Sequence, residues 1–396
     1  VEEQEAVEQT ALKVLLAISA AHMLNDIIQS LIPANYVFLQ ETHGLSYFDM
    51  GLITFAFQAT ASLLQPVVGI YTDRRPKPYS LAAGMGATLI GLLFFSRADS
   101  LAGLMASAAL IGTGSSIFHP EASRMAHMAA GGRHGFAQSL FQVGGNFGTS
   151  LGPLLAAWIV LSYGQKSIAW FSLLALTAIV LLLRVGAWYH ARLRGHLAAP
   201  TKKRLRHAPL PSRTVARAIL VLIGLVISKY IYLVSFTTYY APYMIERFGV
   251  SERNAQIYLF IFLFAVAAGT FAGGPLGDRF GRKVVIWFSI LGVAPFALAL
   301  PHAGLAATVL LTVFIGAILA SAFSAILVFA QELLPGRVGA VAGLFFGFAF
   351  GVSAIAAALL GRWADATSLE YVFSYCAYLP LLGILAALLP KLEKLG

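Results

Sequence analysis

His22, Asn25, Asp26 and Gln29 lie inside a long apolar run, where a polar side chain has a cost and therefore a reason. Their spacings of three, four and seven put them on one helical face. Asp26 sits near the middle of its run, and Lys229 sits near the middle of another. An ionised group at the centre of a bilayer costs at least ~2.5–3.5 kcal/mol on insertion scales, so both are candidates for function. Asp26 could carry a proton and Lys229 could hold an anion. The alternative is a static Asp–Lys pair that fixes the packing of two halves.

A second group ends the fourth run: His119, Pro120, Glu121 and Arg124. Proline removes a donor and crowds the preceding turn, so a kink is expected at Pro120. On a straight helix His119 and Glu121 would point about 200° apart. Glu121 and Arg124, three apart, can pair. One reading is a protonatable His/Glu set with an anion-binding arginine; the other is an ion pair at a helix end. In the fifth run Gln138, Gln142 and Asn146 recur every four residues as a polar stripe. Gly144, Gly148 and Gly152 recur at the same period on roughly the opposite side, as close helix packing requires. Tyr230 and Tyr232 flank Lys229 and could line a pocket with it, while Tyr239, Tyr240 and Tyr243 read as an interfacial belt or a gate. Phe345, Phe346, Phe348 and Phe350 read as core or lipid-facing. The histidines lack ligand spacing with Cys or carboxylates, so no metal site is readable. Gly131-Gly132-Arg133-His134-Gly135 is no phosphate loop, since no Gly-Lys-Ser/Thr follows. No nucleophile–base set for an enzyme appears.

The elements that position these residues follow from composition. Apolar residues make up 59% of the chain and charged residues only 11%, which excludes a water-soluble enzyme and a disordered chain. The single cysteine, Cys376, excludes an internal disulfide. The acidic start lacks a basic stretch and does not read as a cleavable signal peptide. Long continuous runs, rather than alternation, exclude a sheet barrel. At ~33 residues per span with its loop, the length allows about twelve helices. The first run reads as Leu12–Leu39 and the last as Tyr371–Leu389.

Charge gives the orientation. Of 27 Lys and Arg, Arg97, Lys166, Arg247, Arg253 and Arg362 fall on one side, Lys229 lies within the membrane, and the other 21 fall on the side of the N-terminus. That bias sets both termini in the cytoplasm. It also accounts for the net charge of +10 without nucleic acid. A Pro-containing basic stretch, Arg192 to Arg217, reads as a cytoplasmic linker against anionic headgroups.

The chain repeats. Gly69-Ile-Tyr-Thr-Asp73-Arg74 and Gly274-Pro-Leu-Gly-Asp278-Arg279-Phe-Gly281-Arg282-Lys283 lie 205 positions apart. Gly132-Arg133-His134-Gly135 and Gly336-Arg337-Val338-Gly339 lie 204 apart. A duplicated six-helix unit follows: residues 1–190, a linker at 191–214, and residues 215–396. Such parallel repeats imply a binding site between the halves near the midplane.

The segment 274–283 resembles the loop motif of the major facilitator superfamily. Gly148-Thr-Ser-Leu-Gly152-Pro153 resembles the fifth-helix motif of its antiporter branch. Four stretches look like the fosmidomycin resistance protein family: His22-Met-Leu-Asn25-Asp26-Ile-Ile-Gln29-Ser30, Gly112–Glu121, Phe141–Gly148 and Gln331–Arg337. The first-half loop departs from the pattern, with Pro76 and Pro78 replacing a glycine and a basic residue.

The resemblance implies an all-α membrane transporter of the bacterial inner membrane, with helices one and seven lining a central cavity. It implies proton-coupled export of a small anionic phosphonate, the alternative being an uptake symporter for a small organic anion or sugar. Proton coupling then falls to Asp26, His119 and Glu121. Substrate binding falls to His22, Asn25, Gln29, Arg124, Gln138, Gln142, Asn146, Lys229 and Tyr230. Gating falls to Asp73, Arg74, Asp278, Arg279, Arg282, Gly148, Gly152 and Pro153. A monomer with no cofactor, metal or nucleic-acid partner is expected, driven by the proton gradient.

Overall fold

The computed structural model describes residues 2–131, 133–196, 211–334 and 337–390. Among them every regular element is helical. Eleven helices are long and apolar enough to cross a membrane, and a shorter apolar one lies among them. In chain order they are α1 (Leu12–Ala34), α2 (Tyr47–Arg74), α3 (Ser80–Phe95), α4 (Leu101–Ala129), α5 (Gly135–Tyr163), α6 (Gln165–Arg194), α7 (Ser212–Phe248), α8 (Glu252–Gly277), α9 (Arg282–His302), α10 (Leu305–Leu333), α11 (Val338–Ala366) and α12 (Leu369–Leu388). The short one is α3; its 16 residues span roughly 24 Å. The basic linker residues Lys202, Lys203, Arg204 and Arg206 lie outside the described residues.

Local chemistry sets the ends. Ser46 and Asp49 form a reciprocal capping box at the start of α2. Ser100, Ser251 and Ser368 accept from backbone N–H groups at the starts of α4, α8 and α12. Gly44 and Gly249 close helices with φ of 65° and 62°, which glycine adopts without strain. The first run ends earlier than the apolar pattern suggests. Pro33 and Asn35 break it, and a separate helix, Tyr36–His43, follows. The ninth run is also interrupted: it passes from helix to a 3-10 turn at Leu300–His302, around Gly292, Pro295 and Pro301. Pro153 is followed by a wide turn at Ala156–Val160.

The outside of the molecule is apolar, with Leu63, Val67, Phe94, Trp158, Leu173 and Leu220 more than half exposed. Such a surface suits lipid rather than water. Inside, small residues bring helices close. Gly144, Gly148 and Gly152 of α5 lie against Ser19, Met23 and Ser30 of α1. Gly343 and Gly347 of α11 lie against Gln65, Ser62 and Pro66 of α2. Further along that antiparallel seam Gly69 meets Gly339, Gly51 meets Ala357 and Gly361 meets Tyr47. Of the two readings of the outer tyrosines, the interfacial belt does not fit their burial and the reading as a gate stays open. Tyr239, Tyr240 and Tyr243 are buried, the last stacked on Phe373 at 4.3 Å.

Candidate functional site

The polar face of α1 points inward, and the fold adds a residue to it from α4. His22 Nε2 lies 3.3 Å from Asp26 Oδ2 and 3.3 Å from His119 Nε2. The α4 and α5 backbones fix both rings. His22 Nδ1 donates to the Phe141 carbonyl at 2.8 Å. The Phe141 carbonyl can only accept, so a neutral His22 carries its proton on Nδ1 and turns an Nε2 lone pair toward Asp26 and His119, whereas His119 Nδ1 faces both the Ser115 carbonyl and the Ser115 hydroxyl at 3.1 Å. The Asp26 carboxylate adds a third acceptor, while Asn25 Nδ2 donates to its other oxygen at 2.9 Å. With the His119 proton on Nδ1 as well, three lone pairs converge between the two rings and the carboxylate. Aromatic rings hold the geometry: His22 stacks on Phe141 at 4.1 Å, and His119 contacts Phe346 and Phe350 of α11, both at 5.1 Å.

Gly145 completes the cradle. A Cβ there would meet the His22 ring and, at 2.7 Å, Asp26 Oδ2. Only glycine lets the α5 backbone pass this close. Phe346, Phe350 and Gly145 were not legible as site residues, because their roles depend on which helix lies opposite.

Lys229 is 3% exposed. Its ammonium lies over the rings of Tyr230 at 5.8 Å and Phe323 at 5.4 Å, within cation–π range. No hydrogen bond or ion pair joins it to any described residue. The direct Asp26–Lys229 pair that the sequence allowed is therefore not formed; Asp26 is taken by His22 and Asn25. Phe323 also packs on Phe346 at 5.2 Å, so the lysine and the histidine–aspartate group approach one aromatic layer from α7 and α4.

The rest of the polar stripe is partly satisfied. Gln29 accepts from Ser115 Oγ at 3.5 Å, and Gln138 accepts from Ser123 Oγ at 2.9 Å. Gln142 Oε1 is buried without a partner among the described residues. Asn146 donates to Thr270 of α8 at 2.6 Å and so bridges the two halves.

Glu121 and Arg124 do not join His119. Two arginine nitrogens donate to the two Glu121 oxygens at 3.1 and 2.8 Å, and a third donates to the Thr72 carbonyl at 3.0 Å. Ser80 donates to Glu121 at 3.3 Å, and the guanidinium lies over Tyr189. The pair therefore ties α4 to α3, α2 and α6, apart from the His119 contacts, as the helical angle from His119 requires. Removing one partner strands a buried charge. Glu121→Ala is expected to cost about 3–5 kcal/mol of stability, with much of it recovered in Glu121→Gln/Arg124→Met. Thermal unfolding of the purified protein in detergent checks both.

Carboxylates close both ends of the α2–α11 seam. Asp73, at the end of α2, accepts from the Ala340 backbone N–H at 2.9 Å at the start of α11. Asp365, at the end of α11, accepts from the N–H groups of Tyr47 at 3.2 Å and Phe48 at 2.9 Å, at the start of α2. Each helix thus caps its antiparallel neighbour, where free N–H groups and the helix dipole favour an anion. Arg282 pairs with Glu332, Arg74 is exposed, and Arg279 lies over Phe280. The Asp278 side chain lies outside the described residues. Asp365 was not foreseen, since its partners are backbone groups with no signature in sequence.

Charge-assisted hydrogen bonds are worth roughly 1.5–3 kcal/mol each, or tenfold and more in an equilibrium. Asp365→Ala is expected to raise maleimide labelling of Ala357→Cys about tenfold, and Asp73→Ala that of Ala342→Cys. The native Cys376 is buried and adds little background.

Among the described residues, eleven long apolar helices and a shorter one thus enclose a group of buried ionisable side chains, with carboxylates capping the α2–α11 seam. Residues 18–240 and 230–395 match the Major Facilitator Superfamily. The chain is 57% identical over 382 residues to the fosmidomycin resistance protein of Escherichia coli (strain K12), covering 96% of this chain and 94% of that one. It is 42% identical over 388 residues to the uncharacterized MFS-type transporter YfnC of Bacillus subtilis (strain 168), covering 98% and 95%. A crystal structure of the superfamily transporter FucP in the outward conformation superposes with a TM-score of 0.67 at 17% identity, covering 96% of this chain and 99% of that one. The chain belongs to the major facilitator superfamily. It is a multi-pass protein of the bacterial inner membrane, and its sequence is similar to the fosmidomycin resistance protein.

Proposed function

We propose that the protein exports a small anionic drug, a phosphonate such as fosmidomycin, in exchange for protons by alternating access. The observation that carries this reading is Lys229: a buried ammonium with no acidic partner among the described residues, beside Tyr230, in the interior of a transporter fold. A phosphonate oxygen would complete it with a charge-assisted hydrogen bond. The name of the Escherichia coli relative supports the choice of anion.

The proton site we assign to Asp26 with His22 and His119. Their three converging lone pairs accept one proton and share it, which removes the repulsion among them. A proton arriving from the periplasm neutralises this group as the drug departs. The next drug molecule binds at Lys229 from the cytoplasm after that proton has left. Gly144, Gly148, Gly152 and Pro153 of α5 form the surface that moves against α1, and Asp73 and Asp365 hold alternate ends shut. The basic loops support cytoplasmic termini and a division near residues 191–214. The unit is a monomer.

Expression in drug-sensitive cells tests the direction. Intracellular fosmidomycin should fall on expression; a rise would make the protein an uptake symporter built on the same fold.

A further inference from the structure

We propose that His22, Asp26 and His119 form a binding site for a zinc-class divalent cation, with three protein ligands and a fourth position left to water. The residues that show no ligand spacing in the sequence come from two helices, and the fold gathers one ligand atom from each within 4.8 Å of the others.

The geometry is that of a ready-made tetrahedron edge. Zinc bonds nitrogen and carboxylate oxygen at about 2.0–2.2 Å, so ligand atoms around a tetrahedral ion stand about 3.3–3.5 Å apart. His22 Nε2 stands 3.3 Å from Asp26 Oδ2 and 3.3 Å from His119 Nε2. The third separation, bounded by 4.8 Å, has to close to that range when an ion binds.

The protonation pattern is also that of a metal site. Metal-bound imidazoles donate their other N–H to a carbonyl or carboxylate, which fixes the tautomer and aims the lone pair. His22 does so to Phe141, and His119 Nδ1 lies 3.1 Å from the Ser115 carbonyl, in reach of the same bond, with the Ser115 hydroxyl beside it. The second Asp26 oxygen is held by Asn25, leaving Oδ2 free to ligate. His22 and His119 are 2% and 3% exposed, so their Nε2 atoms are shielded from bulk solvent. The Asp26 side chain, at 14%, is the open side through which an ion would arrive. The absent Cβ of Gly145 leaves its room. Two imidazoles and one carboxylate are borderline donors, which favour zinc, cobalt, nickel or copper over magnesium or calcium.

The cation uses the lone pairs that a transported proton would use, so bound zinc excludes that proton. This consequence rests on the transport reading; the binding itself does not.

The test uses the purified full chain in detergent, free of any polyhistidine tag and stripped with chelator. Cobalt(II) titration should give the visible bands of a four-coordinate centre, saturating at one equivalent and displaced by zinc. X-ray absorption of the zinc-loaded wild type should show two imidazole scatterers. His22→Gln and His119→Gln should each weaken binding by at least about tenfold, the range seen even when a metal site's supporting hydrogen bonds are lost. His43→Ala, outside the cluster, should bind as the wild type does. Folded wild-type protein that gives no such bands, or two glutamine variants that bind cobalt unchanged, would overturn the proposal, whatever the protein transports.

Discussion

Inverted membrane vesicles carrying Asp26→Asn are expected to show no uphill accumulation of fosmidomycin when their interior is made acid. Asparagine keeps the shape of the side chain and its contact with Asn25, but it cannot take up a proton at physiological pH. The group of His22, Asp26 and His119 then lacks the anionic member around which an added proton is shared. Exchange of drug down its own gradient should continue, because Lys229 and the α2–α11 seam are untouched. The effect is therefore a split between coupled and uncoupled flux, which a folding defect would not produce. An Asp26→Asn protein that still concentrates drug against a pH gradient would remove Asp26 as the carrier.

Lys229→Gln is expected to weaken drug binding by about tenfold to a hundredfold, the equivalent of one charge-assisted hydrogen bond at roughly 1.5–3 kcal/mol. The variant should fold at least as well as the wild type. An ammonium over two aromatic rings, with no hydrogen bond or ion pair among the described residues, gains little from burial, and replacing it by a neutral side chain removes a desolvation cost. Binding measured by drug-induced change in tryptophan fluorescence, with thermal stability measured in parallel, separates the two effects. Unchanged affinity would place the anion elsewhere and leave Lys229 as a packing residue.

Asp26 and His22 were legible because a helix places positions i and i+4 on one face, and both lie in one apolar run. His119 could be chosen for its depth, but not for its partners, which are on α1 and α11. Its neighbour Glu121 was legible as a partner for Arg124, and the pair proved to turn away from His119, as two residues of helical rotation dictate. Lys229 and Asp26 looked like partners because each is a lone charge in a corresponding run; only the packing shows that His22 reaches Asp26 first. The glycine stripe of α5 announced a close helix contact, and α1 fills it, yet Gly145 carries no mark that separates it from Gly144. Asp365 was unreadable for a different reason: it binds backbone N–H groups, which every residue but proline offers.

The fold was legible to the same depth. Hydropathy marked apolar runs that are helices in the structure, eleven of them long enough to span a membrane. The breaks at Pro33, Gly292 and Pro295 were not, because proline and glycine are common in membrane helices and only their neighbours decide whether the helix bends or ends.

The most direct test of the account is fosmidomycin uptake into inverted vesicles from expressing cells, with an imposed inside-acid pH gradient. The account predicts uptake above the passive level that collapses when a protonophore is added. Uptake that ignores the protonophore, or no uptake by protein shown to be folded and correctly oriented, would contradict it.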